Sequence, residues 1–307
     1  CSLVGSEMCI RDSSIIIPLY NKADYIAETL KSVLNQTYCD YEVIVVNDSS
    51  TDNSLEVASS FQDERIHIYT KENEGVSAAR NYGIMHAKYD YIAFLDADDI
   101  WESDYLECQK KLIEIYPDAG IYSTAFYSLE KGKRKLRNVL INEHTHFLVH
   151  DYFKESVMNG LSICWTSSLC LKKEMIKEIP MFRVGIKRGE DLDLWLRIAL
   201  NYDVAYLNLP KVFYRTGLSD SLTSDYSKNG EFPYYEWFNF TSESSYYRKY
   251  VILVVYIHAK NAFIHHDYDT CLAELWSVKT IAWRFKWAER LLLLCLLYTS
   301  PSPRDCS

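Results

Sequence analysis

Glycine and proline are scarce in this chain of 307 residues, with 10 and 7 copies. No G-x-x-x-x-G-K-[ST] segment occurs, which excludes a P-loop nucleotide site. Nor does a glycine-rich basic loop follow the first apolar run, where Tyr20-Asn21-Lys22 stands instead. That counts against a sugar-phosphate nucleotidyltransferase, one of the competing readings. Basic residues are in the minority, 33 Lys and Arg against 42 Asp and Glu, for a formal charge of −9. General nucleic-acid binding wants a basic face, so no nucleic-acid partner is expected. Internal repeats and low-complexity stretches are missing, and the apolar segment Val251–Ile257 is too short to span a bilayer.

Cysteine is scarcer than its count of nine suggests. Residues 295–305 are encoded by one strand of a short duplex that resembles a sequencing-library adaptor, and residues 3–12 by the other strand. Residues 1–13 and 295–307 are therefore expected to be adaptor-derived and are set aside. Cys39, Cys108, Cys164, Cys170 and Cys271 remain, an odd number without C-x-x-C spacing. This fits a reducing compartment and argues against a zinc site or a disulfide scaffold.

The most informative feature present is Asp96-Ala97-Asp98-Asp99, directly after the apolar run Tyr91–Leu95. The run reads as a buried strand whose carboxyl end delivers three carboxylates to one place. Ligands of open α/β sheets bind beyond the carboxyl ends of strands. Clustered carboxylates repel unless a cation lies between them, and one or two carboxylates plus substrate phosphates suit a hard divalent ion. A helix cap before Trp101–Tyr116 would account for one aspartate, not three.

Apolar runs at Ser14–Leu19, Glu42–Val46, Arg65–Tyr69 and Tyr91–Leu95 alternate with helical patterns at Ala23–Gln36, Ser54–Phe61 and Gly75–His86. Such alternation predicts an α/β fold with a mostly parallel, doubly wound sheet. Its strands would release Leu19-Tyr20-Asn21, Asn47-Asp48 and the aspartate cluster on one edge. Further strands are expected at Gly120–Tyr127 and Thr166–Leu171, and helices at Lys172–Ile179 and from Gly189 to about Asn201. Residues 128–159 are poorly patterned. Helices at Tyr246–His265 and Cys271–Leu294 form a C-terminal extension.

Five segments carry a resemblance to a known family. They are Ser14–Lys22, Tyr41–Asp52, Asn73–Gly83, Phe94–Asp99 and Gly189–Asp191. In this order and spacing they resemble the family 2 glycosyltransferases of the GT-A fold, with the match covering most of Ser14–Leu222. The resemblance implies a GT-A domain over 14–222 and a helical region over 223–294. It implies an inverting, metal-dependent transfer of sugar from a nucleotide diphosphate, with UDP favoured, to a hydroxyl of a glycan or lipid-linked acceptor in surface polysaccharide synthesis. A degenerate domain that only binds sugar nucleotides is the non-enzymatic alternative.

By the same resemblance Pro18, Tyr20 and Asn21 border the donor base, and Asp48 accepts its imide N–H. Arg80 lies near the diphosphate, Asp96 touches the ribose, and Asp98 or Asp99 binds Mn²⁺ or Mg²⁺. Asp191 is the general base, with Glu190 as fallback. Many relatives carry a histidine shortly after the pair matching Tyr214-Arg215, where this chain has Thr216-Gly217-Leu218-Ser219. A histidine metal ligand from that loop is therefore not expected, and His144, His146 and His150 read as ordinary surface. Trp276, Trp283, Phe285 and Trp287, with Lys279, Arg284, Lys286 and Arg290, suggest an amphipathic helix lying on the inner membrane face, with ordinary core packing of the aromatics as the equal alternative. The expected location is cytoplasmic, with peripheral membrane contact.

Overall fold

A computed structural model of the chain describes residues 13–160, 162–186, 188–218, 234–237 and 240–282. The first half alternates as expected: β1 (Ser13–Leu19), α1 (Ala23–Leu34), β2 (Tyr41–Asn47), α2 (Ser54–Ser59), β3 (Ile66–Thr70), α3 (Val76–His86) and β4 (Tyr91–Phe94). Then come β5 (Ile100–Trp101), α4 (Tyr105–Ile115), β6 (Ile121–Glu130), β7 (Lys133–Arg137), β8 (His146–Val149) and α5 (Tyr152–Asn159). The chain continues with β9 (Leu169–Lys172), α6 (Glu190–Ala199), β10 (Val204–Arg215), α7 (Tyr234–Trp237), α8 (Tyr247–Ile264) and α9 (Tyr268–Ala282).

One sheet runs in the order β3-β2-β1-β4-β9-β6-β10-β5, with β7 added to β6 and β8 to β10. The β3-β2-β1-β4 half is parallel throughout. Antiparallel pairing begins at β9, which lies between β4 and β6 and opposes both. β6 therefore runs in the same direction as β4, and β10 follows it in parallel.

The core divides by the period-two alternation of the strands. Ile16, Ile44, Val46 and Phe94 face α3, α5, α6 and α8 on one side. Ile15, Ile17, Val43 and Val45 face α1, α2 and α4 on the other. Both faces of the parallel strands are covered, which is why these runs read as continuously apolar. α3 approaches β1 so closely that a Cβ on Gly83 would stand 2.5 Å from Ile16 Cγ2. Gly83→Val is expected to destabilise the fold by about 1–3 kcal/mol through overpacking. A urea unfolding midpoint equal to the wild type would contradict that packing.

Several expectations need correction. The helix expected from Trp101 begins at Tyr105, because Ile100–Trp101 pairs with Val212–Phe213 of β10. The strand expected over Thr166–Leu171 starts only at Leu169, since Thr166–Ser168 is a 3-10 turn. The helix expected at Lys172–Ile179 shrinks to a 3-10 turn at Lys173–Lys177. The unpatterned residues 128–159 hold β7, β8 and α5. Most of the expected amphipathic membrane helix, like the 222/223 boundary, lies outside the described residues. Among the described residues no helix is long and apolar enough to cross a membrane.

Candidate active site

The parallel strands β1, β2 and β4 open on one edge, and the aspartate cluster sits there as a turn. Asp99 N–H donates to the Asp96 carbonyl at 3.0 Å, so Ala97 and Asp98 form the tip. Thr29 of α1 holds this turn from below, its hydroxyl 2.9 Å from the Ala97 carbonyl and 2.8 Å from that of Asp99. Ser167 clamps both ends: its Oγ accepts from Asp96 N–H at 3.1 Å and donates to Asp99 Oδ2 at 2.5 Å.

These contacts separate Asp98 from Asp99. Asp99 is wholly buried, and its second oxygen accepts from Arg215 N–H at 3.0 Å. Burial, then the neighbouring Asp98 and Asp96, pushes its carboxyl well above the usual range. Asp99 is thus turned into the protein and fastens β10 to the turn. Asp98 sits at the tip, 3.0 Å from the Lys22 ammonium, with some side-chain exposure. Burial raises its pKa, the Lys22 charge opposes that, and Asp96 adds to it. Arg215 steadies the backbone here, its guanidinium donating to the Asp98 carbonyl at 2.6 Å while pairing with Glu28.

Among the described residues no group of three or more His, Cys, Asp and Glu side chains gathers to hold a metal ion. Asp98 and Asp96 supply two carboxylates, the donor set that holds Mg²⁺ or Mn²⁺ when substrate phosphates fill the remaining positions. The residues present therefore fit a cation shared with a diphosphate rather than one caged by protein alone.

The residues expected to border the donor lie at the end of β1 and on the loops after β1 and β2. Pro18 stands in β1 beyond the last residue paired with β4, where its missing N–H costs the ladder nothing on that side. Tyr20 is 44% exposed, with a free ring surface at the edge. Asn21 adopts a left-handed φ of 50° and ties the two loops together, its Oδ1 accepting from Thr51 N–H at 2.8 Å. Asp52 accepts from Ala23 N–H at 3.1 Å and Ser54 N–H at 2.9 Å, so it serves the first turns of both α1 and α2.

Asp48 is buried and takes three protein donors: Lys71 Nζ at 3.0 Å, Glu74 N–H at 3.1 Å and Gly75 N–H at 2.8 Å. It fastens the loop that enters α3. A carboxylate offers about four lone-pair positions, so one remains for a ligand.

The second acidic group arrives on α6. Gly189, at a left-handed φ of 72°, turns the chain so that Glu190 and Asp191 occupy the first helical turn. There the helix dipole favours their negative charge. Arg80 of α3 joins this group to the aspartate turn. Its guanidinium donates to Glu190 Oε1 at 2.9 Å and to Asp96 Oδ1 at 2.8 Å, and its side chain is only 4% exposed. Nε makes no hydrogen bond among the described residues. The two carboxylates engage two of the five N–H groups of the guanidinium, so a phosphate contact by Arg80 does not require either pair to open.

Asp191 accepts from the Thr166 hydroxyl at 3.1 Å. Burial raises its pKa most, while Arg80, the Leu192 amide and Thr166 lower it and Asp96 raises it. Burial, then Asp191, lifts Glu190 to about 7, against the opposing charge of Arg80. A carboxyl whose folded pKa exceeds its unfolded value loses stabilisation as pH rises through that interval. Thermal midpoints of Glu190→Gln, taken relative to the wild type, should therefore climb between about pH 5 and pH 8. A difference that stays flat with pH would refute this titration.

Ser167, Thr166 and Lys22 were not singled out in the sequence as site residues. Lys22 at least stood within the first motif. Ser167 and Thr166 carry no local signal and reach the site only because antiparallel β9 follows them back along β4.

Comparison with known proteins bears on this geometry. Residues 14–179 match the family described as Glycosyl transferase family 2. The chain belongs to that family. A putative teichuronic acid biosynthesis glycosyltransferase, TuaG of Bacillus subtilis, is 33% identical over 196 residues, covering 63% of this chain and 74% of TuaG. An "uncharacterized glycosyltransferase" of Rickettsia felis is 36% identical over 191 residues, 61% of this chain but only 30% of the relative. Among solved structures, S. aureus TarS 1–349 in complex with UDP-GlcNAc superposes with a TM-score of 0.61 at 18% identity. That superposition covers 88% of this chain and 73% of the TarS chain, and it shows that this family 2 member has the GT-A fold.

Proposed function

We propose that this family 2 chain transfers a sugar from a nucleotide diphosphate, UDP by preference, to a hydroxyl of a glycan or lipid-linked acceptor in surface polysaccharide synthesis at the cytoplasmic side. The observation that carries this reading is the meeting of two acidic groups at one sheet edge, the Asp96–Asp99 turn and the Glu190–Asp191 helix start, through Arg80. The TuaG and TarS likenesses agree in kind, one by its name and the other by its bound UDP-GlcNAc.

Tyr20 and Pro18 offer the base a ring and a lip, Asp48 its remaining lone pair, and Asp96 the ribose an acceptor. Asp98, with Asp96 beside it, would hold a divalent cation whose charge stabilises the departing diphosphate. Asp191 takes the proton of the acceptor hydroxyl as that oxygen attacks the anomeric carbon from the face opposite the leaving diphosphate. Burial raises its pKa, the direction that strengthens it as a base. Attack from the opposite face inverts the anomeric centre. Glu190, held by Arg80, is spoken for and does not compete for the proton.

The test is release of UDP from a panel of UDP-sugars with Mn²⁺ present, wild type against Asp98→Asn. Release with at least one sugar, reduced at least tenfold in the variant, is expected. No release from any member would overturn the donor assignment. Thr166→Val should lower the transfer rate about tenfold. It should also move the acidic limb of the pH–rate profile upward, because the hydrogen bond it removes holds the Asp191 pKa down. A limb that does not move would remove Thr166 from the base's support.

A further inference from the structure

The chain carries a formal charge of −9, yet one exposed hairpin is strongly basic. β6 and β7 are joined at Lys131-Gly132, and Lys131, Lys133, Arg134, Lys135 and Arg137 follow within seven residues. Every residue of β7 is exposed. Arg134 stacks over Phe213 with its guanidinium 4.5 Å from the ring centre, and Arg137 donates to Ser128 Oγ at 3.2 Å. Among the described residues none of the five cations is paired with a carboxylate.

Large apolar side chains lie open beside them: Leu136 is 48% exposed, Val139 43% and Ile141 103%. Lysines on an edge strand discourage pairing with other strands. That purpose does not call for exposed valine and isoleucine. A soluble polyanion would engage the cations alone. Cations followed along the chain by the open aliphatic Val139 and Ile141 match a lipid surface, where the charges meet anionic headgroups and the aliphatics enter the headgroup layer.

The hairpin is also placed at the site. β6 runs parallel to β4, so its carboxyl end rises from the edge that carries the aspartate turn. Arg215, which donates to the Asp98 carbonyl, stands in register with Leu129, and Thr216 N–H donates to the Leu129 carbonyl at 2.9 Å.

We infer that the β6–β7 hairpin, with Val139 and Ile141, docks this protein on an anionic membrane and brings the carboxyl edge of the sheet to the lipid surface. Docking is independent of the transferase reading, because it is measured without sugar transfer. The full chain is sedimented with phosphatidylcholine vesicles, with and without phosphatidylglycerol, alongside the double variant Lys133→Glu, Lys135→Glu and the single variant Ile141→Ser. Binding to the mixed vesicles only, weakened by salt, is expected. The double reversal should weaken it by at least about twenty-fivefold, at roughly fivefold for each of the two cations lost. Ile141→Ser should weaken it by roughly tenfold, with thermal midpoints unchanged in both variants because the altered side chains are exposed. Equal binding to both vesicle types, no binding to either, or a reversed variant that binds as the wild type would overturn the inference.

Discussion

Asp191→Asn lowers the transfer rate by about 10²–10⁴-fold and leaves the affinity for the nucleotide donor unchanged. The expectation follows from where the carboxylate sits. Its side chain is tied to Thr166 and belongs to the first turn of α6, across Arg80 from the aspartate turn proposed to meet the donor. Asparagine keeps the shape and can still meet the Thr166 hydroxyl, but it accepts no proton. Donor binding by titration calorimetry and turnover by nucleotide release separate the two effects. Equal loss of binding and turnover would show Asp191 to be part of the donor site. Loss of turnover in Glu190→Gln instead would move the base one residue back.

Arg80→Met destabilises the protein by about 3–5 kcal/mol, because it strands two carboxylates beside an apolar stem. Arg80 is nearly sealed from solvent and bridges Asp96, which is partly open to water, to the more enclosed Glu190. The loss is larger at pH 8 than at pH 5. At the lower pH Glu190, lifted to about 7, is protonated and needs no counter-charge. Arg80→Lys restores one of the two contacts and recovers part of the stability. Urea unfolding at the two pH values checks both the magnitude and its sign. A loss that is equal at both would mean that Glu190 does not titrate in the bridge.

The parallel half of the fold was legible because its strands are covered on both faces and end in Asn and Asp. Ile15, Ile16 and Ile17 are all buried, and the alternation with helices follows directly. The second half was harder to read for the opposite reason. β7 is exposed throughout, with Leu136 its one apolar residue, and its strand character comes from pairing with β6, not from an apolar pattern. Trp101 read as the start of a helix, yet β10 captures it as a strand. At the site, Asp96, Asp98, Glu190 and Asp191 were visible as clusters along the chain. That Asp99 turns inward while Asp98 stays at the tip was not, because Ser167 holds Asp99 from 68 positions away. Arg80 was visible as a cation in a motif, and its two carboxylate partners emerged only when α3, β4 and α6 were brought together.

The central claim is that this edge binds a nucleotide diphosphate with a divalent cation. A thermal-denaturation titration with UDP, with and without Mn²⁺, tests it most directly, since a ligand bound only by the folded state raises the midpoint as its concentration passes the dissociation constant. The expected result is a rise that requires Mn²⁺ and disappears in Asp98→Asn. No rise with UDP under either condition would contradict it.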